Sequence, residues 1–577
     1  MNVMHKKQLI KLLEQIATYL ELKGENAFKI SAFRKAANAL ETDERSLEQI
    51  DDFTAIKGIG KGTSAVIEEY IKTGKSTVLD ELQESLPKTL LPLLKLPGLG
   101  GKKVAKLYQE LKIESMDQLK EACINGKLQG LAGFGKKTEK NILDSIEEFG
   151  KQPERLPLAD VLPIADKIEA YLSKMNDVDK FSRAGSLRRV RETVKDLDFI
   201  IASNHPESVR EQLLSMPEIV RVIAGGDTKV SLVLKGIEYE ISVDFRIIQP
   251  KEFATTLHHF TGSKDHNVAM RQLAKERDEK ISEYGVEDVN TGEVLTFENE
   301  EDFYAHFNLP CFPPEIREDG KEVANFTTDY PLIKLEDIKS DIHMHSTWSD
   351  GGFSIEEMAE ACRAKGYKYI AITDHSQYLK VANGLTPERL WKQKEEIQRL
   401  NEKYTDFTIL HGVEMDILPD GSLDYEDDVL RSMDFVIASI HSSFSQDEET
   451  IMMRLKNAMR NPYVSMIGHP TGRKIGRRAG YKVNAEELIS VAKETGTILE
   501  LNANPNRLDL NKDMLMMAKE AGVKISINTD AHNIDMLDHM TIGVSAAKKA
   551  WLKKDNIVNT FELHELLRLI EGKRNRM

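Results

Sequence analysis

Between residues 341 and 532, short apolar segments repeatedly run into side chains that can bind a metal ion. Each segment is rich in Ile and Val, and a stretch long enough for a helix follows, as at residues 354–365, 387–404 and 484–495. Strand, ligand and helix repeated about seven times predict a parallel β/α barrel with its chemistry at the C-terminal ends of the strands. The ligand-bearing segments are SDIHMH (His343, His345), AITDH (Asp374, His375), LHGVEMD (Glu414, Asp416), VIASIH (His441), MIGHP (His469) and SINTDAH (Asp530, His532).

The residue types in these segments indicate which ions they would bind. A histidine at the end of one strand is commonly a polar cap, but the recurrence at successive strands favours a metal site. Imidazole suits Zn²⁺ and Mn²⁺, and carboxylate suits Mn²⁺ and Mg²⁺. The mixed set therefore predicts a multinuclear hydrolase.

A separate carboxylate pattern lies in the middle of the chain. Asp196 and Asp198 are two residues apart in a predicted strand, so their side chains share one face. Asp244 lies in an alternating apolar run that predicts a neighbouring strand and would supply a third carboxylate. A site of carboxylates without histidine suits Mg²⁺, which also accepts oxygens from substrate phosphates.

The segments around these carboxylates decide between a solvated Asp-x-Asp pair and a catalytic one. The GSLRR segment at residues 185–189 offers a tight turn and arginine donors for a polyphosphate. Together with the later VDFR segment at residues 243–246, it favours two-metal phosphoryl transfer.

The N-terminal region reads as short helices, over residues 5–23 and 28–40, followed by turns of the form Gly-hydrophobic-Gly. Such a turn leaves backbone N–H groups at the start of the next helix, where they can bind a phosphate without reading base sequence. These could be plain helix-helix turns, but repeated copies followed by lysine favour helix-hairpin-helix contacts with the DNA backbone. The two clearest copies contain Gly58, Gly60 and Lys61, and Gly98, Gly100, Lys102 and Lys103; a looser one spans residues 131–137.

Size and composition limit the remaining possibilities. A chain of 577 residues is too long for one core and predicts several domains. Charges interrupt every apolar run, so we expect no membrane span, and three scattered cysteines predict reduced packing residues in a cytoplasmic protein. The net charge of −15 argues against general nucleic-acid binding, so any positive charge that contacts DNA must be local.

These motifs carry a resemblance to known families. GSLRR, DLDFII, SVDFR and HHFTGSKDHN resemble the palm and thumb of family X DNA polymerases, the relatives of polymerase β, and the C-terminal ligands resemble a PHP (polymerase and histidinol phosphatase) domain. The order of the two resembles bacterial and archaeal DNA polymerase X over essentially the whole chain. The resemblance implies a multidomain α+β and α/β protein that ends in a (β/α)7 PHP barrel. Its implied domains are a helical DNA-end-binding domain at 1–80, a fingers-like helical domain at 81–150, a palm at 151–258, a thumb at 259–318, a linker at 319–335 and the PHP domain at 336–577.

The resemblance also assigns roles in the palm and thumb. It implies that Asp196, Asp198 and Asp244 are catalytic and hold Mg²⁺. It implies that the nucleotide is bound by Gly185, Ser186, Arg189, Phe260, Thr261, Gly262, Ser263, Asn267 and Arg271.

Two positions depart from the family pattern. His259 stands where polymerase β has a tyrosine beside the sugar, so the resemblance leaves ribonucleotide rejection open. The lysine that forms a Schiff base with an abasic sugar falls at Val66, which cannot act as an amine nucleophile. We therefore expect deoxyribose-phosphate lyase activity to be weak or absent.

In the barrel the resemblance implies up to three Mn²⁺ or Zn²⁺ ions and an active phosphoesterase. Arg473 and Arg477 belong to a basic run that closely follows His469. Such a run can be a solvated surface, but beside a phosphoesterase site it is expected to guide a DNA 3′-end. The implied function is a monomeric repair enzyme that fills gaps in DNA from dNTPs and processes 3′-ends as a 3′-5′ exonuclease, with AP-endonuclease activity also open. The alternatives are a small-molecule phosphatase or a metal-stabilised structural module beside the polymerase. The implied metal ligands are His343, His345, Asp350, His375, Glu414, His441, His469, Asp530 and His532.

Overall fold

A computed structural model describes residues 6–42, 47, 50–96, 99–148, 153–236 and 238–576. The chain divides into two compact units, Met1–Glu154 and Arg155–Met577. Within the described ranges, no helix combines the length and the apolar character needed to cross a membrane.

The first unit is helical, and its first two helices agree with those predicted at residues 5–23 and 28–40. Ile59, Leu99 and Phe134, the apolar residues of the Gly-hydrophobic-Gly turns, are buried in the core of this unit. Each turn leads directly into a helix, as the sequence pattern indicates. The helices are α1 Lys6–Lys23, α2 Ala27–Thr42, α3 Lys61–Thr73, α4 Thr77–Glu84, α5 Gly101–Leu111, α6 Met116–Ile124 and α7 Lys136–Glu148.

The second unit begins with a mixed sheet in the order β2-β4-β7-β6-β5, beside a small antiparallel pair of β1 with β3. Strand β7 alternates buried and half-buried residues, as expected for a strand with one covered face. The elements are β1 Leu156–Pro157, α8 Leu158–Leu172, β2 Lys180–Arg183, α9 Gly185–Arg188, β3 Thr193–Val194, β4 Asp196–Ala202, α10 Pro206–Leu214, β5 Ile219–Gly225, β6 Lys229–Lys235 and β7 Glu240–Ile248.

A smaller lobe of helices and a short antiparallel sheet, in the order β10-β9-β8, follows. Its first helix contains the expected palm–thumb boundary at 258/259, and α4 likewise contains the one at 80/81. The expected linker at 319–335 is packed, because Glu322 is 1 % exposed and bonds to His266, and Phe326 contacts Trp551. The elements are α11 Phe253–Thr261, α12 Lys264–Glu276, β8 Glu279–Ser282, β9 Gly285–Asp288, β10 Val294–Leu295, α13 Glu300–His306 and α14 Glu322–Asn325.

The remainder is a nearly closed barrel of parallel strands ordered β11 to β17, with a bridge between Met344 and Ala531 joining its two ends. This confirms the β/α barrel predicted from the repeated ligand pattern. Helix α22 covers the floor, where Leu566 and Ile570 pack on inward-facing strand residues. The strands are β11 Ser340–Asp341, β12 Tyr369–Ile372, β13 Thr408–Asp416, β14 Phe435–Ser439, β15 Met466–Ile467, β16 Ile498–Asn502 and β17 Ile525–Asn528; the helices are α15 Ile355–Ala364, α16 Pro387–Lys403, α17 Asp427–Arg431, α18 Glu448–Arg460, α19 Ala485–Thr495, α20 Lys512–Ala521, α21 Met540–Lys549 and α22 Leu563–Arg574.

A buried carboxylate, Glu300, connects the helical lobe to the mixed sheet, and a buried arginine holds it in place. Arg317, fully buried, pairs with Glu300 at 2.6 Å and donates to the carbonyl of Phe312 at 2.8 and 2.6 Å. The other carboxylate oxygen of Glu300 accepts from Arg188 at 2.6 Å, at the end of α9. The GSLRR turn is therefore held to the lobe through the Glu300 carboxylate, which uses one oxygen for each arginine.

Replacing Arg317 with methionine is expected to destabilise this lobe by about 3–5 kcal/mol, because it leaves part of a buried carboxylate and a buried carbonyl unpaired. Urea unfolding followed by circular dichroism measures the change. Lys321→Met is the control, since that side chain is 80 % exposed and pairs loosely with Asp319. Equal urea midpoints for the two variants would contradict the role given to Arg317.

Candidate functional site

The carboxylates of the mixed sheet meet on adjacent parallel strands. Strand β4 pairs with β7 in a register that sets Asp198 directly opposite Asp244, and Asp196 lies two residues earlier on the same face. Asp244 accepts a hydrogen bond from the Ser231 hydroxyl at 2.6 Å and forms an ion pair with Lys229 at 2.6 Å. The structure thus brings together the carboxylates that the sequence pattern grouped.

The environment of Asp198 favours the binding of a divalent cation here. Burial and the neighbouring carboxylates of Asp196 and Asp244 raise the pKa of Asp198 to about 7. A hard divalent ion with oxygen ligands relieves both effects, so Asp196, Asp198 and Asp244 would hold it.

The turn before α9 is shaped around this site. Gly185 has a φ of 59°, and a Cβ there would meet the Asp198 carboxylate closer than van der Waals contact allows. The Ala184 N–H donates to the Asp198 carbonyl at 2.8 Å, which fixes the turn to β4. Glycine is therefore required for the GSLRR segment to approach the carboxylates.

The expected nucleotide-binding residues gather where the sheet meets the helical lobe. The Arg189 guanidinium donates to the Thr261 carbonyl, the Asn267 amide donates to the His259 carbonyl at 2.8 Å, and the Arg246 guanidinium lies over the Phe260 ring at 4.7 Å. A Cβ on Gly262 would lie 3.2 Å from Arg189, so these segments approach closely. The remaining members of the set lie on the same elements: Ser186 is half-buried on α9, Ser263 caps α12, and Arg271 is exposed on α12.

In the barrel, the expected ligands converge at the C-terminal ends of the strands. Within the described part of the chain their ligand atoms form three groups, with the atoms of each group within 4.8 Å of one another. His469 adjoins them, because its Nε2 lies 2.9 Å from Glu414. The groups are His345, Asp350, His375 and His532; His343, His345, Glu414 and Asp530; and His375, Glu414 and His441.

Glu414 is the centre of this arrangement and is fully buried. Its pKa lies well below the usual value, because nearby imidazoles, led by His441, outweigh the effect of burial. The imidazole nitrogens around its carboxylate are those of His343 at 3.4 Å, His345 at 3.5 Å, His375 at 3.0 Å, His441 at 3.2 Å and His469 at 2.9 Å.

The hydrogen bonding of the expected ligand atoms shows whether metal ions would fit here. Buried side-chain atoms with no hydrogen-bond partner among the described residues include both carboxylate oxygens of Glu414, the Nε2 atom of His343 and the Nδ1 atom of His375. Unpaired buried polar atoms are costly, whereas a bound cation satisfies them. Mixed imidazole and carboxylate ligands suit divalent ions such as Mn²⁺ and Zn²⁺, and these residues would hold them.

Glu500 supports the expected ligands and was not identified from the sequence. Glu500 is fully buried, lies 2.6 Å from His343 Nδ1 and accepts the backbone N–H of His469 at 2.6 Å. It stands two residues after the inward-facing Ile498, so strand alternation is the signal that identifies it. Hydrogen bonds of this kind orient imidazole ligands.

Two residues quoted with the ligand segments also lie in this outer layer. Asp374 accepts from the hydroxyls of Ser346 and Ser349 and from the Gln393 amide, at 2.5–2.6 Å. Asp416 lies 3.3 Å from Nδ1 of His441. Both therefore support the ligand-bearing loops.

A cleft of about 380 Å³ opens beside Asp530 and His532, and its wall carries positive charge. Arg477 lies on this wall and also pairs with Glu238 at 3.1 Å. Arg473 instead pairs with Glu192 of the mixed-sheet domain at 2.7 Å. The polar residues of the wall are Lys474, Arg477, Asn504, Asn506 and Arg507.

The glycine turns of the first unit place exposed glycine and lysine residues at the starts of its helices. Gly58, Gly60 and Lys61 are exposed at the start of α3, and the next turn places exposed Gly100 and Lys102 at the start of α5. Lys103 lies 5.7 Å from the Phe134 ring of the third turn. Gly98 lies outside the described residues.

Comparison with known families places these domains in one class. A helix-hairpin-helix domain matches residues 4–76, a SAM-like helix-hairpin-helix tandem matches 90–148, a DNA polymerase beta thumb matches 256–318, and a PHP domain matches 341–504. The combination defines a polymerase β-like protein with a C-terminal PHP domain.

Whole-length similarity identifies the family. The chain is 62% identical over 563 residues to the DNA polymerase/3′-5′ exonuclease PolX of Bacillus subtilis (strain 168), covering 98% of this chain and 99% of that protein. The chain belongs to the PolX family of DNA polymerase/3′-5′ exonucleases. It is also 35% identical over 167 residues to a probable phosphatase of Thermoanaerobacter sp. (strain X514), and 36% identical over 168 residues to one of Caldanaerobacter subterraneus. Each of these matches covers 28% of this chain, and 63% and 61% of the respective phosphatase.

Metal binding to the barrel is expected to release protons and to tighten as pH rises. Despite burial, the carboxylates of Glu414 and Asp416 raise the pKa of His441 to about 10, and those of Asp350 and Asp530 raise the pKa of His532 to about 9. Both rings are therefore protonated at pH 7 without an ion and must lose the proton to coordinate one. The apparent Mn²⁺ affinity should rise at least about tenfold per pH unit between pH 6 and 8.

Calorimetric titrations of Mn²⁺ in buffers of different ionisation enthalpy would count the released protons. His564→Gln is the control. His564 lies on α22, which covers the barrel floor, at the end of the barrel opposite the expected ligands. Binding that releases no protons would contradict the expectation.

Proposed function

We propose that this protein is a DNA repair enzyme that fills short gaps by template-directed synthesis from dNTPs and removes nucleotides from 3′-ends. The observation that carries the proposal is the presence, in one PolX-family chain, of an oxygen-only carboxylate cluster and an imidazole-rich cluster. The first suits Mg²⁺ and phosphoryl transfer, and the second suits Mn²⁺ or Zn²⁺ and hydrolysis.

In the palm, Asp196, Asp198 and Asp244 would hold two Mg²⁺ ions. The ions would make the primer 3′-hydroxyl more acidic and neutralise charge on the triphosphate. Lys229, 2.6 Å from Asp244, balances part of the negative charge of the cluster. Gly185 lets the turn lie against Asp198, so that Ser186 and Arg189 can donate to the triphosphate.

The lobe after the palm would select the nucleotide. Phe260 is held by the cation–π contact with Arg246 and would flank the sugar together with His259. Asn267 and Arg271 would face the base edge and the template. The remaining members of this segment, Thr261, Gly262 and Ser263, would shape the backbone around the sugar and base.

The glycine turns would hold the DNA backbone. Gly60 and Gly100 precede helices α3 and α5, whose first N–H groups and dipoles favour a phosphate, and Lys61, Lys102 and Lys103 add positive charge. This local charge accounts for DNA binding by a protein whose net charge is −15. Gly58 and Gly98 would complete the turns.

The expected domain limits remain part of the proposal: 1–80, 81–150, 151–258, 259–318, 319–335 and 336–577. The matched family ranges support their order. DNA and dNTP substrates and the bacterial relative support a cytoplasmic location, and we propose a monomer that acts away from membranes.

Separate variants should remove the two activities independently. Asp196→Ala is expected to abolish synthesis on gapped DNA and leave degradation intact, because it removes an ion ligand of the palm alone. His343→Ala is expected to do the reverse. A primer-extension assay with and without dNTPs, in Mg²⁺ and in Mn²⁺, reports both activities, and loss of both in either variant would contradict two independent sites.

The similarity to probable phosphatases supports a second candidate, in which the barrel hydrolyses a phosphate monoester. Release of phosphate from histidinol phosphate, with DNA 3′-ends left intact, would favour a small-molecule phosphatase. Release from 3′-phosphorylated DNA alone would favour 3′-end processing. A barrel that loses its fold in His343→Ala and has no hydrolytic activity would favour a structural role.

Arg477 and Arg473 are proposed to guide the DNA 3′-end, with unequal effects. Arg477→Met removes a cation from the wall of the cleft, so the KM of the nuclease should rise about tenfold, the value of one charge-assisted hydrogen bond. Arg473→Met should change KM less, because Glu192 holds that guanidinium.

Arg431→Met is the matched control, because that arginine pairs with Asp428 and the Tyr463 hydroxyl on a helical side of the barrel. An unchanged KM in Arg477→Met would exclude the guiding role.

A further inference from the structure

The barrel reaches the nucleotide-binding turn of the polymerase through one buried lysine. Lys549, the last residue of α21, is 9 % exposed. Its ammonium donates to the carbonyls of Arg189 at 2.6 Å and Val190 at 3.2 Å. It also pairs with Glu318 at 3.1 Å. A side chain of the PHP domain thus holds the residues that directly follow GSLR.

The groups that Lys549 contacts are connected to the nucleotide site. Arg189 is the C-cap residue that follows α9, and its guanidinium contacts the Thr261 carbonyl and, at 3.5 Å, Glu318. The backbone carbonyl of Glu318 accepts the Ser263 hydroxyl at 2.8 Å. Lys549 therefore binds both the palm turn and the thumb segment expected around the triphosphate and sugar.

The conformation of the turn explains why it needs such support. Val190 has a φ of 50°, a left-handed conformation that is unfavourable for a β-branched residue. This conformation persists only where the surroundings hold it. The carbonyls of Arg189 and Val190, which flank this strained position, both accept hydrogen bonds from the Lys549 ammonium. The positive charge of the ammonium offsets the repulsion between the two carbonyl dipoles.

We propose that Lys549 is a positioning residue for DNA synthesis, through which the PHP barrel sets the affinity of the polymerase for dNTPs. The inference rests on the proposed polymerase function. Lys549 touches no reacting atom; it fixes the turn from which Ser186 and Arg189 would meet the triphosphate.

The plain alternative is that Lys549 only joins two domains, and its neighbour offers the matched control. Lys548 also crosses from α21, and pairs with Glu315 at 3.5 Å, away from the turn. Lys549→Met should raise the KM for dNTP about tenfold or more, because it removes a charged donor from two backbone carbonyls. Lys548→Met should leave the KM unchanged. Exonuclease activity should persist in both variants and reports that the protein is folded.

Rescue variants separate positioning from simple packing. Lys549→Arg keeps the charge and should retain more dNTP affinity than Lys549→Met. Val190→Gly adopts the left-handed conformation without strain, so adding it to Lys549→Met should restore much of the lost affinity. Val190→Gly alone is expected to keep the wild-type KM. Nucleotide affinity is also measured at equilibrium, on gapped DNA with a dideoxy-terminated primer, so that binding is separated from turnover.

Each outcome decides the question. Equal KM values for Lys549→Met and Lys548→Met, or a loss of thermal stability without a change in dNTP affinity, would overturn the role of Lys549. No rescue by Val190→Gly would overturn the part played by the strained turn. Wild-type protein that neither binds nor incorporates dNTP would overturn the polymerase function itself, which is a separate result.

Discussion

The side chains around Glu414 impose the constraint on which the barrel depends. A fully buried carboxylate lies among imidazoles that approach it to between 2.9 and 3.5 Å, and several of the donor atoms have no hydrogen-bond partner among the described residues. Unpaired polar atoms in a protein interior are unfavourable by several kcal/mol. Divalent ions that shared these ligands would remove the penalty, so metal binding would then also contribute to the stability of the domain.

The carboxylate cluster of the mixed sheet is also unfavourable without a bound cation, but its ligand atoms are all oxygens. Burial, and after it the neighbouring carboxylates of Asp196 and Asp244, raises the pKa of Asp198. Without histidine, the cluster offers only hard oxygen ligands, which suit an ion that also coordinates phosphate. The two candidate sites therefore differ in the ions that their ligand types suit. They also differ in geometry, because one lies on a pair of parallel strands and the other on a ring of strand ends.

The barrel contacts the mixed-sheet domain through residues that lie close to both candidate sites. Arg473 follows the ligand His469 closely and binds Glu192, while Lys549 binds the turn after α9. Ile475 also packs in the core of the palm. A buried lysine and a shared core residue join the barrel to the mixed-sheet domain, so independent movement of the two is unfavourable and the two candidate sites are held in a defined relation.

Much of this could be predicted from the sequence, because the signals are local. The repeated order of apolar strand and helix predicted the barrel. The spacing of Asp196 and Asp198 predicted that their side chains share one face of a strand. Both predictions depend on backbone periodicity alone. The family resemblance was needed to identify Asp350, because among the described residues no strand ends directly before it. Other features depend on long-range packing: Glu500 supports His343 across 157 positions, and Lys549 reaches Arg189 across 360. Only the tertiary structure decided those contacts, because a side chain's partner is set by how distant elements pack and not by its neighbours in the chain.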